Sequence, residues 1–248
     1  MNKIILGVKF ALSYFTLLPI RFNADDDLSH PRVLKSMLLS LPFVGVLLAS
    51  LSIGVFSVLE SLGWLGAIIA AVIYMVLYGF IHTEAVIDVA DAVHAAHSGK
   101  DPYEIIKDPT VGAMGVLYGV SFTLLKIAAL STLLMHHLFL PFIAIALISR
   151  LSLLVLIRTY EFRSSFVTRL HENLRVVPLI LLILLCGALG FYLLSVNFLP
   201  LFVAGVLTAL LLSFLTKRSL GFINGDVLGM SLEGSELVLI ITALLTCR

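Results

Sequence analysis

Eight apolar stretches, each close to the length of a bilayer crossing, determine what this chain can fold into. They occupy roughly residues 4–20, 37–59, 63–81, 114–135, 138–157, 177–196, 198–215 and 227–246. Lipid offers no hydrogen-bond partner to the backbone, so each stretch is predicted to be helical. The composition agrees, because 60% of the residues are hydrophobic and only 12% are charged, about half the charged share of a soluble domain. We therefore predict an all-α, polytopic integral membrane helical bundle.

The first stretch is short and carries Lys9, so it either crosses the bilayer or lies along its surface. The bundle is accordingly predicted to have seven or eight membrane segments. Neither an internal repeat nor a polar linker divides the chain. Residues 1–248 are therefore predicted to form a single membrane-embedded domain.

The connections between the stretches alternate in length. Three connections are tight turns that carry no Lys or Arg. The long polar connections carry many of these basic residues, and they are 21–36, 82–113, 158–176 and 216–226. In an up-and-down bundle the long connections all lie on one side. By the positive-inside rule that side is predicted to be cytoplasmic.

Three acids follow directly on the third apolar stretch: Glu84, Asp88 and Asp91. Their spacing of four and then three places all three carboxylates on one face of a helix. Like charges so close together repel, and a divalent cation would neutralise them. The sequence predicts that these acids bind Mg²⁺; the alternative is that they form an ordinary solvated face.

A second element, Lys107-Asp108 with Gly112 and Gly115, precedes the next apolar stretch. Glycines there allow the backbone to approach a ligand closely, and the N-terminus of the following helix favours an anion. The alternative is that the glycines serve only the entry into that helix.

The last apolar stretch also begins with acids: Asp226, Glu233 and Glu236 share a helix face. Carboxylates in a membrane segment are costly and should face the bundle interior. Lys126 and Arg150, in other stretches, are expected to approach Glu233 and Glu236. Two roles remain open for these basic residues, which either pair structurally with the acids or hold a substrate phosphate.

The two acidic regions are predicted to lie at the same membrane face. We therefore expect Asp226 to lie beside the helix that bears Asp88, within about 10 Å of the first cluster, close enough to share bridged metals.

These motifs, in this order, resemble those of the cobalamin synthase family, the adenosylcobinamide-GDP ribazoletransferases. The resemblance covers nearly the whole chain: Phe15-Thr16-Leu17-Leu18-Pro19, the stretch from His82 to Asp91, Lys107-Asp108 with Gly112 and Gly115, Lys126, Ser149-Arg150, and Gly225-Asp226-Val227-Leu228-Gly229 with Glu233 and Glu236. The chain departs from the family pattern where Glu84 replaces Asp, Ala85 and Ala92 replace Gly, and Asn224 replaces Thr.

The resemblance implies a membrane-embedded catalytic domain that joins adenosylcobinamide-GDP to α-ribazole, or its 5′-phosphate, with release of GMP. It implies Mg²⁺ as cofactor, with Glu84, Asp88 and Asp91 as ligands. Asp88, Asp91 and Asp226 are the implied catalytic residues. The implied substrate-binding residues are His82, Lys107, Asp108, Gly112, Lys126, Arg150, Glu233 and Glu236.

We expect the two substrates and the lipid bilayer as partners, and no nucleic acid. The expected location is the cytoplasmic (inner) membrane of a bacterium or archaeon, with the active site facing the cytoplasm; a homo-oligomer is left open. Two alternatives are a CDP-alcohol phosphatidyltransferase and a transporter with an intramembrane ion path. The phosphatidyltransferase motif has an Ala-Arg pair after its first acid, and this chain lacks that pair. The chain also lacks the repeated broken helices that are typical of transporters.

Overall fold

Helices form the secondary structure of residues 2–247, the part of the chain that the computed structural model describes, and no strand occurs there. Two short 3₁₀ turns, Glu60–Leu62 and Ser195–Asn197, separate consecutive helices. The α-helices are α1 (Lys3–Phe15), α2 (Pro31–Leu59), α3 (Trp64–Leu77), α4 (Ile81–His97), α5 (Pro102–Ile105), α6 (Ala113–Met135), α7 (Phe139–Thr159), α8 (Ser165–Asn173), α9 (Val176–Leu194), α10 (Phe198–Leu220) and α11 (Gly225–Thr246).

Within residues 2–247, five helical stretches are long and apolar enough to cross a membrane: Pro31–Leu62, Ala113–Met135, Phe139–Thr159, Val176–Leu220 and Gly225–Thr246. A sixth is obtained when α3 and α4 are taken together. The predicted polytopic helical bundle is confirmed, while the count of seven or eight segments stays a prediction. Helix α1, with 13 residues, is about 20 Å long and too short to cross.

Local sequence explains where the principal helices begin. Pro31 occupies the first turn of α2, and the His30 side chain accepts a hydrogen bond from the Arg32 backbone N–H at 3.1 Å. At α11 the side chain of Asn224 accepts one from the Val227 N–H at 3.1 Å. Such caps satisfy N–H groups that have no partner within the helix, so both helices begin at polar or proline residues.

A sharp bend separates α3 from α4. Gly79 and Phe80 both have positive φ angles, 64° and 55°, and the two helix axes differ by 80°. A non-glycine residue in the left-handed region costs of order 1 kcal/mol, so the surrounding packing must hold Phe80 there. The bend turns α4 along the end of the bundle, where it contacts the first turns of α6 and α11.

The long connections meet at one end of the bundle. The Arg163 N–H donates to the Ile223 carbonyl oxygen at 2.8 Å, and the rings of Tyr103 and Phe222 lie 5.2 Å apart. The tight turns meet at the other end, where His137 lies 3.7 Å from Glu60. The expected alternation of connections is confirmed, although the long ones contain helices α4, α5 and α8.

Helix α7 is the centre of the bundle. It packs against α2, α9, α10 and α11, and most of its side chains are buried. A membrane helix buried on all sides can carry polar groups toward its neighbours at low cost. Arg150 and Ser149 lie in the middle of α7 for this reason.

Candidate active site

Helix α4 presents the first acidic cluster at the end of the bundle where the long connections meet. Glu84 is exposed, and Asp88 and Asp91 are partly buried. Its opposite side is apolar or small, with Ala85, Val89 and Ala92 buried against the bundle. The predicted one-face arrangement of the acids on a helix is confirmed, and it follows from packing of the small residues against the core.

Asp91 closes the N-terminus of α6. Its Oδ2 accepts a hydrogen bond from the Gly112 N–H, and its Oδ1 accepts one from the Gly115 N–H, both at 2.7 Å. A Cβ atom at either glycine would collide with the carboxylate. The two glycines therefore admit an anion to the helix N-terminus, as the sequence predicts, and in this structure the anion is Asp91 itself.

Asp88 is surrounded by other carboxylates. It lies on α4 beyond the bend and is partly buried. The carboxylates of Asp226, Glu84 and Asp91 lie near enough for their negative charges to repel that of Asp88. A bound cation would relieve this repulsion.

The start of α11 packs directly on α4. A side chain at Gly229 would lie 2.8 Å from the Ala85 Cβ and 3.4 Å from the His82 ring, so the absence of one lets the helices touch. Asp226, one turn earlier, accepts a hydrogen bond from the Asn224 side-chain amide at 2.7 Å. The prediction that the two acidic regions lie side by side is confirmed.

A cavity of about 140 Å³ lies where α1, α4, α8 and α11 meet, and we call it the aromatic cavity. Its walls include Tyr14, Phe15, His82, Phe166, Asp226 and Gly229. The rings of Tyr14 and Phe166 lie 5.4 Å apart. Small-molecule sites have volumes of about 300 Å³ or more, so this cavity would enclose only part of a large substrate.

A second cavity, the polar cavity, lies where α4 meets the segment before α6 and has a volume of about 520 Å³. It is lined by Asp91, His94, Ser98, Lys100, Asp108, Thr110 and Gly112, among others. Asp108 accepts hydrogen bonds from the Thr110 hydroxyl and N–H, which hold the pKa of Asp108 below its usual range. Asp91 thus stands in the wall of a space large enough for a nucleotide-sized group.

Four charged side chains form a chain of ion pairs deeper in the bundle. Lys126 pairs with Glu233, and with Glu236 at 2.9 Å, while Arg150 pairs with the other oxygen of Glu236. The expected approach of Lys126 and Arg150 to these acids is confirmed.

Hydroxyl groups add to this network, although Oε1 of Glu233 is buried without a hydrogen-bond partner among the described residues. The Tyr74 hydroxyl donates to Glu236 at 3.0 Å, and the Ser149 hydroxyl donates to it at 2.9 Å. Lys126 also donates to the Tyr78 hydroxyl at 3.3 Å. With two cations and two carboxylates the cluster is neutral and almost fully enclosed, an arrangement that favours the structural interpretation over direct contact with substrate.

Some residues of this site were not predicted from the sequence. Tyr74 and Tyr78 lie in an apolar stretch, and their spacing of four residues on one helix face is the signal that could have singled them out. Tyr14 and Phe166 have no such signal, because only the packing of α1 against α8 brings their rings together.

The carboxylates at this end of the bundle meet some, but not all, of the requirements of a binding site for a hard divalent cation. Among residues 2–247, no three His, Cys, Asp or Glu side chains lie close enough together to hold a metal ion as they stand. Mg²⁺ is commonly held by one or two carboxylates together with substrate phosphates and water. The crowded carboxylates of Asp88 and Asp226 fit that smaller requirement, whereas both oxygens of Asp91 are already engaged by α6.

Comparison with known proteins gives the relatives of this chain. The model of the family described as cobalamin-5-phosphate synthase matches residues 7–244. An adenosylcobinamide-GDP ribazoletransferase of Clostridium perfringens is 32% identical, covering 90% of this chain and 91% of its own length. The proteins of that name from Brevibacillus brevis and Escherichia coli are 27% and 28% identical, covering 93% and 94% of this chain and 94% and 97% of their own lengths. No solved structure matches. A family match over nearly the whole chain is decisive: the protein belongs to the cobalamin-5-phosphate synthase family.

Proposed function

We infer that this protein is an adenosylcobinamide-GDP ribazoletransferase, a transferase of late cobalamin biosynthesis. The observation that carries the inference is the convergence of Asp88, Asp91 and Asp226 at one end of the bundle, in a chain that belongs to this family throughout its length. Neither a phosphatidyltransferase nor a transporter is favoured by any feature of the described residues.

The reaction forms one bond to phosphorus and breaks another. The ribose 3′-hydroxyl of α-ribazole, or of its 5′-phosphate, attacks the phosphorus that bears the cobinamide side chain. The diphosphate P–O bond breaks, GMP leaves, and the hydroxyl proton passes to a base. Positioning and charge neutralisation dominate such chemistry.

The carboxylates have different tasks in this proposal. Asp91, whose oxygens are both bound to α6, positions α4. Asp88 and Asp226 remain available, and one of these two carboxylates would accept the hydroxyl proton. Mg²⁺ would be held by Asp88 and Asp226 together with substrate phosphate, and it would supply charge neutralisation at the diphosphate.

Each cavity is lined by groups that suit a different part of the substrates. The aromatic cavity, lined by Tyr14, Phe15 and Phe166, offers apolar faces to part of the corrinoid or to the ribazole base. The polar cavity offers hydrogen-bonding groups to the nucleotide. Asp91 and Asp226 border one cavity each, so the transfer takes place between them. By the charge of the long connections this end faces the cytoplasm of a bacterial inner membrane.

The test is an assay of the purified protein in lipid nanodiscs with Mg²⁺, adenosylcobinamide-GDP and α-ribazole. GMP and the joined corrinoid should appear together, in equal amounts, and only when both substrates are present. Reactions that lack α-ribazole, and reactions with Asp88→Ala, serve as controls. If GMP appears at the same rate without α-ribazole, the protein is a hydrolase and the proposed function is wrong.

A further inference from the structure

Two basic side chains converge on the ring of Tyr103. The Lys107 ammonium lies 3.9 Å from the ring centre and the Arg163 guanidinium carbon lies 3.5 Å from it. The first residue follows α5, and the second comes from the connection between α7 and α8. The separation of the two positive groups cannot exceed the sum of these distances, so the fold brings together cations that are far apart in sequence.

Within the part of the chain that the structure describes, neither cation has an ion-pair partner. The ion pairs found among residues 2–247 involve Lys126, Arg150 and His137, and no carboxylate of these residues lies within 4.0 Å of the Lys107 or Arg163 side-chain nitrogens. Two unpaired cations over one ring repel each other, and the ring's negative face offsets this only weakly at an exposed position. A bound anion would remove the repulsion.

Backbone and ring contacts tie this pair of residues to the segment that leads into α11. The Arg163 N–H donates to the Ile223 carbonyl oxygen, and the Phe222 ring packs edge-on against Tyr103. Phe222 and Ile223 lead directly into the start of α11, where Asp226 lies. On the other side, Lys107 is followed by Asp108, which lines the polar cavity.

We propose that Lys107 and Arg163, held by Tyr103, form a binding site for phosphate groups and that Arg163 is a substrate-binding residue of this enzyme. The ligand is the diphosphate of the nucleotide-activated substrate. A planar guanidinium can bind a phosphate through two N–H donors, and an ammonium adds a mobile charge. The assignment to a substrate rests on the proposed function. An anionic lipid headgroup carries the same chemistry and is the rival source of the phosphate.

The experiment measures binding and turnover separately, in nanodiscs of neutral lipid. Arg163→Gln should weaken the binding of pyrophosphate, measured by calorimetry with Mg²⁺ present, and raise the KM for adenosylcobinamide-GDP. Each effect should be about tenfold, as for the loss of one hydrogen bond to a charged group, with the KM for α-ribazole unchanged. The matched control is Arg169→Gln, which removes an exposed arginine from α8 at the same end of the bundle and should change neither quantity.

Further variants keep the test informative if Arg163→Gln folds poorly. Arg163→Lys should retain part of the pyrophosphate binding, because the positive charge stays while the paired N–H donors of the guanidinium are lost. Tyr103→Phe should bind pyrophosphate normally, whereas Tyr103→Leu should bind it more weakly, because only a ring holds the two cations together.

Three results would overturn the proposal. One is equal loss of pyrophosphate binding in Arg163→Gln and Arg169→Gln, which would indicate a diffuse surface charge. Another is unchanged pyrophosphate binding with loss of phosphatidylglycerol binding in Arg163→Gln, which would make the anion a lipid headgroup. The third is GMP release with a normal KM in Arg163→Gln, which would leave the proposed function intact. Pyrophosphate binding needs no turnover, so this site can be established even in a preparation that releases no GMP.

Discussion

The carboxylate of Asp91 lies 2.7 Å from the backbone nitrogen of Gly115 and joins α4 to the N-terminus of α6. The partial positive charge of a helix N-terminus stabilises an anion there. This contact fixes the rotation of α4 and thereby directs Asp88, one turn earlier, toward Asp226. An acid that the sequence places in a metal cluster thus has a positioning role that only the fold reveals.

Asp88→Asn should abolish turnover without destabilising the protein. The variant removes one of several carboxylates that repel one another, so the free energy of unfolding should stay the same or rise. The measurement is GMP release beside an unfolding titration in detergent. Glu84→Asp, which keeps the charge and shortens the reach, should be milder. Normal turnover in Asp88→Asn would exclude this residue from the mechanism.

Gly115→Ala should destabilise the protein by about 1–3 kcal/mol, the usual cost of overpacking. The added methyl group would meet the Asp91 carboxylate, so that α4 must shift and activity should fall as well. Gly54→Ala is the matched control, since no atom lies within 4 Å of the added carbon and alanine favours a helix by about 1 kcal/mol. Equal unfolding midpoints for the two variants would show that Asp91 does not hold α6.

In the buried network, Glu236→Gln should be more damaging than Glu233→Gln. Glu236 pairs with both Lys126 and Arg150, whereas Lys126 keeps Glu236 when Glu233 is changed. Breaking a buried pair costs about 3–5 kcal/mol because a charge is left without compensation. The comparison is the unfolding free energy of the two variants in the same detergent. Equal losses would mean that Arg150 finds another partner.

Single cysteines test the predicted topology in a variant without the two native ones. Ser98→Cys and Ser164→Cys should react with a membrane-impermeant reagent only after the cells are opened, because both residues lie at the end of the bundle that the basic connections place in the cytoplasm. Ser61→Cys, at the opposite end and exposed, should react in intact cells. Labelling of Ser98→Cys from outside would invert the topology.

The sequence predicts the helices of this protein well, and for a simple reason. In a membrane the backbone must satisfy its own hydrogen bonds, so apolar length alone located α2, α6, α7 and α11 to within a few residues, apart from the start of α2. That start was missed because residues 31–36 are polar enough to resemble a connection. The helices inside the long connections were missed in the same way, except for α4, which the spacing of its acids indicated.

What the sequence determines, then, is local: which segments are helical, which face of α4 carries acids, and which charges must be buried. The tertiary structure alone decided the partners. The spacing of Glu84, Asp88 and Asp91 gives no reason to distinguish the three acids. Packing nevertheless leaves Glu84 exposed, brings Asp88 close to Asp226 and binds Asp91 to α6. Likewise nothing local in the sequence joins Lys107 to Arg163. The predicted approach of Lys126 and Arg150 to Glu233 and Glu236 left open which cation pairs with which acid. Contacts between distant residues depend on how the helices pack. The free energy of packing depends on two helices at once, so it cannot be inferred from the sequence of either helix alone.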